Sequence, residues 1–208
     1  VHGVLEAFRE AGLDAMPGGG AELFSKRIRE MLCPQKLPAQ GWLEIHEQAH
    51  SVGIATNATM LYGLEETPEE RVDHLLALRD SQDRAEGYSC FIPLAYQPGE
   101  DAPKSAHVAP GVNLAVVALS RLVLDNIPHI KAYWPMLGLE TASVALSYGA
   151  DDLDGTLGEE RIAHAAGAPT PKAATREIME ETIRLGGFDP VERNGRFEAL
   201  ESDSENPS

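Results

Sequence analysis

The feature that most constrains the fold is a regular alternation of short apolar segments with longer segments of helical periodicity. Apolar segments rich in β-branched or small residues run over residues 54–62 and 88–96, and shorter ones over 13–16, 129–134 and 150–153. Strands that are apolar on both faces and alternate with helices are typical of a parallel sheet covered by helices. The sequence therefore predicts an α/β protein, either a doubly wound sheet or a segment of a (β/α) barrel.

The predicted helices show apolar residues at helical spacing, beginning with one that ends at Gly12. The strongest helix start is Thr67-Pro68-Glu69-Glu70, which offers an N-cap hydroxyl, a proline at the first helical position and acids in the first turn. The other helices are predicted over residues 22–32, 41–52, 67–84, 112–126, 137–148, 158–166 and 173–185.

The chain is strongly acidic, and its charge limits the partners it can bind. Its 208 residues include 17 Lys or Arg and 33 Asp or Glu, a formal net charge of −16. Such a surface repels phosphate backbones and anionic lipid headgroups, and no apolar run approaches the roughly 20 residues of a membrane span. We therefore expect a cytoplasmic protein that binds neither nucleic acid nor membrane.

Two cysteines, Cys33 and Cys90, are too few for a disulfide framework or a thiolate metal cage, which also fits a reducing compartment.

Residues 1–200 are expected to form one unit, and the acidic residues 201–208 are expected to form a disordered tail. The helical pattern begins at the first residue without an N-cap, as expected of a chain that starts in the middle of a protein.

Polar side chains cluster where the predicted strands end. Asn57 and Thr59 lie in the strand over 54–62, and Glu66 follows it. Lys131 and Trp134 lie on the strand over 129–134, and three aspartates lie on or next to the last strand. Ligands of parallel α/β folds bind at the carboxyl ends of strands, so a site is predicted there. Each residue considered alone has an equally good interpretation as a cap of the next helix.

A zinc hydrolase is the sharpest competing hypothesis. His46-Glu47-Gln48-Ala49-His50 matches H-E-x-x-H, which places two imidazoles one helical turn apart with a carboxylate between them. A catalytic zinc needs a third protein ligand and a helix that borders a cleft. The predicted helix instead packs between two strands, so a pair of structural histidines is the favoured interpretation.

Several ordered motifs together resemble one family, the aminofutalosine synthases, which are radical S-adenosylmethionine enzymes of the futalosine route to menaquinone. The resemblance runs from the first residues to about residue 193. It rests on the segments over residues 11–22, 33–34, 42–46, 56–63, 66–76, 91–95, 126–134 and 149–156. Dehypoxanthine futalosine cyclases and deazaflavin cofactor synthases share some of these signals.

The resemblance implies a (β/α) TIM-type barrel of which this chain supplies only roughly strands 4–8 with their flanking helices. The family's C-x-x-x-C-x-x-C motif, which holds a 4Fe-4S cluster, is absent here, so its ligands are expected in a missing N-terminal part. This chain alone is expected to be inactive. Half a barrel leaves open edges and uncovered apolar surface, so a missing N-terminal half or a second copy is the expected partner.

The resemblance also implies the chemistry. In the family, the cluster cleaves S-adenosylmethionine, and the 5′-deoxyadenosyl radical adds to 3-[(1-carboxyvinyl)oxy]benzoate, an enolpyruvyl ether of 3-hydroxybenzoate; loss of carbon dioxide then gives aminofutalosine. By position, the residues implied for S-adenosylmethionine are Glu22, Arg27, Asn57, Thr59, Gly63 and Glu66. Those implied for the substrate are His129, Lys131, Trp134, Asp151, Asp152 and Thr156.

Two departures from the family pattern keep alternatives open. Leu64 and Gln97 stand where the family has histidines, so two imidazoles near the expected chemistry are lost. A related cyclase of the dehypoxanthine futalosine type and a non-catalytic half-barrel are the alternative interpretations.

Overall fold

The computed structural model describes residues 1–98, 107–155 and 173–200. The predicted helix over 158–166, Thr156 and the predicted tail over 201–208 lie outside these ranges. The strands are β1 (Ala15–Met16), β2 (Ala55–Tyr62), β3 (Tyr88–Ala95) and β4 (His129–Ile130). The helices are α1 (His2–Glu10), α2 (Lys26–Leu32), α3 (Ala39–Ser51), α4 (Pro68–Arg84), α5 (Pro110–Val123), α6 (Trp134–Leu137), α7 (Leu139–Leu146) and α8 (Arg176–Leu185).

The strands form one parallel sheet in the order β1-β2-β3-β4. A parallel bridge between Lys131 and Asp152 adds a fifth chain segment beside β4. Strand order therefore follows chain order without the reversal that marks a doubly wound sheet. This topology decides between the two predicted architectures in favour of a partial (β/α) barrel.

The two faces of the sheet have different neighbours. In β2, the hydroxyl of Thr56 bonds to α3 and the hydroxyl of Tyr62 bonds to Asn113 in α5, so the even-numbered residues face the helices. We call this the outer face. Because side chains alternate along a strand, Asn57 and Thr59 lie on the opposite inner face, which in a closed barrel points toward the axis.

The register extends both faces across the sheet. Asn57 stands opposite Cys90, and Cys90 stands opposite His129, so these residues share the inner face. Lys131 lies on the same face two residues beyond His129. The intervening Ile130 is fully buried and stands opposite Phe91 on the outer face.

The hydrophobic core fills the space between the outer face and the helices. Met60, Phe91, Leu78 and Val117 are fully buried in it. The Thr67 prediction is confirmed, because its side chain and Glu70 form a reciprocal capping box at the start of α4. Among the described residues, no helix combines the length and apolar character that a bilayer crossing requires.

Two element boundaries differ from the sequence prediction by four residues, and the strand predicted over 150–153 is reduced to a single bridge at Asp152. Helix α2 begins at Lys26 rather than at residue 22, because Glu22 has a φ of 47° and its carbonyl accepts a hydrogen bond from the Leu61 amide. The strand predicted over 129–134 ends at Ile130, and Trp134 instead opens α6. Pro135, at the start of α6, is the sequence signal for this helix.

Candidate functional site

A lysine ammonium lies on the inner face within a group of four charges. Lys131 is 7% exposed, and its Nζ lies 2.5 Å from Asp154 Oδ1 and 3.7 Å from Asp152 Oδ1. Arg193 donates from its Nε to the other oxygen of Asp152. We call Lys131, Asp152, Asp154 and Arg193 the lysine cluster. A lysine this buried requires compensating charge, and the two aspartates supply it.

The lysine cluster is electrically balanced. Burial opposes ionisation of Asp152, but the hydrogen bond from Arg193 and the charges of Lys131 and Arg193 outweigh burial and lower the pKa of that carboxyl. In formal charges, the carboxylates of Asp152 and Asp154 offset the cations of Lys131 and Arg193. The cluster therefore has no net formal charge at neutral pH.

The backbone that follows the Asp152 bridge orients the Asp154 carboxylate. Asp154 has a φ of 79°, a conformation that Asp tolerates better than most residues. Its amide donates to Asp152 Oδ1 over 2.8 Å. This bond occupies the Asp152 oxygen nearest Lys131 and turns Asp154, two residues further along the chain, toward the ammonium.

Cys90 lies next to the lysine cluster but has no reactive character. It is fully buried, and burial raises the pKa of its thiol to about 12. The thiolate is the reactive form of cysteine. Cys90 therefore remains a protonated thiol at neutral pH and acts as a small core residue.

A C-terminal hairpin, residues 192–200, supplies Arg193. Its two arms join through an antiparallel bridge between Arg193 and Ala199. The Phe197 ring stacks on His129 with centroids 4.3 Å apart, and Arg196 pairs with Asp14 just before β1. His129 and Asp14 lie at the amino ends of their strands, so the hairpin crosses the end of the sheet opposite the expected ligand side.

The substrate residues implied by the resemblance fall into separate places. Lys131 and Asp152 are brought together in the lysine cluster. His129 pairs with Asp151 at 2.7 Å, at the amino end of β4 beneath the hairpin. Trp134 is fully buried, and its indole N–H donates to the Gly155 carbonyl. The structure does not test their roles toward substrate, which stay predictions.

The first two residues implied for S-adenosylmethionine form ion pairs within the chain. The Glu22 carboxylate pairs with Lys36. Arg27 donates to both carboxylate oxygens of Glu70 and to the Glu65 carbonyl. The Arg27 guanidinium is half exposed, so a ligand carboxylate would compete with Glu70 for it.

Glu66 and Gly63 shape the loop after β2. The Glu66 carboxylate accepts from the amides of Gly63 and Leu64 and pairs with Arg71, with N–O distances of 2.7 Å. Gly63 has a φ of 88°, and a Cβ there would lie 2.1 Å from a Val108 methyl. Within the protein, therefore, Val108 already requires glycine at position 63.

Asn57 and Thr59 both lie on the inner face but differ in their side-chain hydrogen bonds. Thr59 donates to the Gly18 carbonyl over 2.7 Å, which ties the glycine-rich loop to β2. Asn57 is partly buried, and its side-chain amide makes no hydrogen bond to the described residues. Asn57 can therefore bond to a ligand without giving up a hydrogen bond to the described residues.

Sequence reasoning placed Asp154 among the polar residues at the strand ends but not among those implied for the substrate, and it did not select Arg193. Asp154 was visible beside the last strand, and its spacing of two from Asp152 was the signal that both lie on one side. Arg193 had no such signal, because it lies in an irregular segment 41 residues after Asp152 and reaches the cluster only through the fold.

The H-E-x-x-H motif is structural. One hydroxyl, Thr56 Oγ1, lies 2.8 Å from both His46 Nδ1 and His50 Nε2. Glu47 points to α4, where it pairs with Arg84. Both imidazoles pack on Tyr88, and His46 also stacks on Trp42. Across the described ranges, no three His, Cys, Asp or Glu residues converge as metal ligands would.

An iron–sulfur cluster does not fit this chain. Cys33 ends α2 and Cys90 lies within β3, and such a cluster needs three or four thiolates around one site. We therefore assign no step of a reaction through such a cluster to these residues.

Curated relatives match over most of this chain. The chain is 50% identical over 199 residues to the aminodeoxyfutalosine synthase of Thermus thermophilus, covering 93% of this chain and 54% of the relative. It is 41% identical to 5-amino-6-(D-ribitylamino)uracil–L-tyrosine 4-hydroxyphenyl transferase 1 of Methanosarcina barkeri, covering 97% and 56%. It is 40% identical to the cyclic dehypoxanthine futalosine synthase of Streptomyces coelicolor, covering 95% and 50%.

A solved structure supports the fold. Methylornithine synthase (PylB) matches with a TM-score of 0.66 at 16% identity, covering 92% of this chain and 56% of that one. The chain thus spans about half the length of the curated relatives it matches, as expected for a partial barrel. A family model described as the CofH/MqnC C-terminal region matches residues 85–206. The chain belongs to this CofH/MqnC C-terminal family.

Proposed function

We propose that this chain is the substrate-side half of a radical S-adenosylmethionine transferase that forms aminofutalosine. The observation that carries the proposal is the 50% identity to the Thermus thermophilus aminodeoxyfutalosine synthase. The two relatives with other names that are compared above match at 41% and 40%. The missing half of the barrel would supply the 4Fe-4S ligands, and the reducing cytoplasm is the expected compartment.

The substrate of the proposed reaction, 3-[(1-carboxyvinyl)oxy]benzoate, carries two carboxylates. A protein of formal net charge −16 needs a local cation to hold such a dianion. Lys131 meets this need, because it puts an ammonium on the inner face beside strands whose carboxyl ends would border the ligand. The lysine cluster would thus hold one substrate carboxylate.

S-adenosylmethionine, when bound, would supply the 5′-deoxyadenosyl group that joins the enolpyruvyl carbon. Asn57 would donate to or accept from it on the inner face, and Arg27 would hold its carboxylate in exchange for Glu70. Thr59 and Glu66 would act indirectly, by fixing the glycine-rich loop and the loop after β2.

The test joins this chain to the N-terminal half of the Thermus thermophilus relative, a fusion that we call the chimera. The chimera is reconstituted with iron and sulfide under reducing conditions and supplied with S-adenosylmethionine and 3-[(1-carboxyvinyl)oxy]benzoate. Mass spectrometry should detect aminofutalosine. A chimera that consumes dehypoxanthine futalosine instead would favour the cyclase, and a folded chimera that converts neither would favour a non-catalytic half-barrel.

A further inference from the structure

We propose that Arg193 is a positioning residue that keeps the Lys131 ammonium free for a substrate carboxylate. The inference rests on the proposed function for the class of ligand. Arg193 does not itself approach the substrate, because it enters from the hairpin at the amino ends of the strands, whereas ligands of barrel proteins bind at the carboxyl ends.

Charge balance is the first argument. Lys131 has two aspartates within 4 Å, Asp152 and Asp154. Without a second cation this group would carry a net charge of −1 and would repel an incoming carboxylate. Arg193 supplies that cation. The Lys131 ammonium therefore belongs to a group with no net formal charge, which does not repel a substrate carboxylate.

Hydrogen bonding is the second argument. Arg193 takes one oxygen of Asp152, and the Asp154 amide takes the other. Asp152 is therefore held 3.7 Å from Lys131 Nζ, beyond hydrogen-bond distance. An ammonium has three N–H donors, and in the described part of the chain only Asp154 accepts from it within that distance. Two of the three donors thus have no acceptor among the described residues.

The hairpin fixes the Arg193 side chain in this position. The guanidinium carbon lies 4.1 Å from the centre of the Phe197 ring, and that ring stacks on His129 of β4. Arg196, three residues on, pairs outside the lysine cluster with Asp14 and is largely exposed. The hairpin therefore offers a matched control, the same substitution at a second arginine that does not touch Lys131.

The test measures binding of 3-[(1-carboxyvinyl)oxy]benzoate to the chimera by calorimetry without cofactors, and KM and kcat after reconstitution. We expect Arg193→Gln to raise both Kd and KM at least tenfold while kcat stays within twofold. Arg193→Lys should lie between this variant and the parent. Arg196→Gln should leave Kd within twofold.

A double variant separates charge balance from mere structural damage. Adding Asp152→Asn to Arg193→Gln removes the unbalanced anion, so affinity should return to within threefold of the parent. A purely structural role predicts that the double variant binds no better than Arg193→Gln. Unchanged Kd in Arg193→Gln, or no recovery in the double variant, overturns the proposal.

The two proposals fail in different ways. If the parent chimera binds the dicarboxylate but yields no aminofutalosine, the proposed function is wrong while the role of Arg193 is still decided by the binding series. If the parent chimera does not bind the dicarboxylate at all, the role of Arg193 is overturned as well.

Discussion

The two faces of one sheet use ionisable side chains in opposite ways. On the outer face, His46 and His74 are buried among helices and His50 is partly buried, and backbone groups or a single hydroxyl occupy their bonded ring nitrogens. On the inner face, Lys131 and Asp152 are equally buried but are held mainly by other charges. Burial lowers the pKa of the outer imidazoles, which are neutral at pH 7, whereas the inner side chains are held by ion pairs.

This difference separates stability from binding. A neutral imidazole with protein hydrogen-bond partners contributes to folding but offers nothing to a ligand. A balanced group of charges gains less for folding, because desolvation offsets the attraction, yet it can exchange one partner for a ligand of the same sign. Substitutions on the outer face should therefore change stability, and those in the lysine cluster should change affinity.

Acid should provide the largest test of this contrast. Burial lowers the pKa of both His46 and His74 to about 3, against 6.5 for the unfolded chain. Between these values the unfolded chain binds protons that the native state does not, so stability is complete above pH 6.5 and falls as the pH drops toward 3. From pH 7 to 5 we expect a loss of about 2 kcal/mol per histidine.

Denaturant unfolding of the chimera at several pH values measures this slope. The lowered pKa of Asp152 changes the unfolding free energy only below about pH 4, where the carboxyl groups of the unfolded chain bind protons. A flat stability profile between pH 7 and 5 would mean that the outer histidines titrate freely, which would remove the contrast between the faces.

His74 and His129 compare the same residue type on the two faces. The His74 ring accepts from the Phe24 amide and bonds to the Thr59 carbonyl, and it stacks on Phe24 at 3.9 Å. His74→Ala leaves two backbone groups unpaired and opens a cavity, so we expect a loss of about 3 kcal/mol in unfolding free energy. His129→Ala, which loses a pairing with Asp151 that is about a third exposed, should cost less than about 1 kcal/mol. Equal losses of unfolding free energy in the two variants would contradict the contrast between the outer and inner faces.

Thr56 and Thr59 make a finer comparison within one strand. Thr56→Val removes the oxygen shared by His46 and His50, and we expect it to cost about 2 kcal/mol. Thr59→Val removes a single bond to Gly18 and should cost about half as much. Urea midpoints of the two variants test the ratio, and a Thr56→Val midpoint no lower than that of Thr59→Val would contradict it.

The sequence predicted the fold where local signals and tertiary structure agreed. The Thr67 capping box and the long apolar strands over 54–62 and 88–96 lie where periodicity and turn chemistry indicated. Prediction erred where a backbone group had a distant partner. Glu22 carries a helix-compatible side chain, but its carbonyl bonds to Leu61 across the sheet, and the helix begins only after Ser25.

The candidate site was predictable only in part, because its members come from distant segments. Lys131 and Asp152 follow from strand position. Arg193 reaches them through a hairpin whose Phe197 ring stacks on His129 and lies under the Arg193 guanidinium. No periodicity or spacing in the sequence encodes contacts of this kind, so tertiary structure was needed to find them.

Gly63 lies at the carboxyl end of β2, and two explanations for this glycine can be separated by experiment. The resemblance to the synthases implies that a nucleoside approaches the backbone here. The structure shows instead a Val108 methyl in the space of a Cβ, together with a φ of 88°. Gly63→Ala should therefore cost stability, about 1 kcal/mol from the positive φ once Val108 has moved aside.

The partner variant Val108→Ala distinguishes the two explanations. If Val108 alone demands glycine, Gly63→Ala in the Val108→Ala background should lose no more than the φ cost, and KM for S-adenosylmethionine should stay within twofold of the parent chimera. A tenfold rise in that KM in both backgrounds, with a loss of stability no larger than the φ cost, would instead mean that a ligand contacts this backbone. Gly63 would then be a ligand-binding residue rather than one that determines only stability. Strand β2 and the residue that follows it would then contain residues of both kinds.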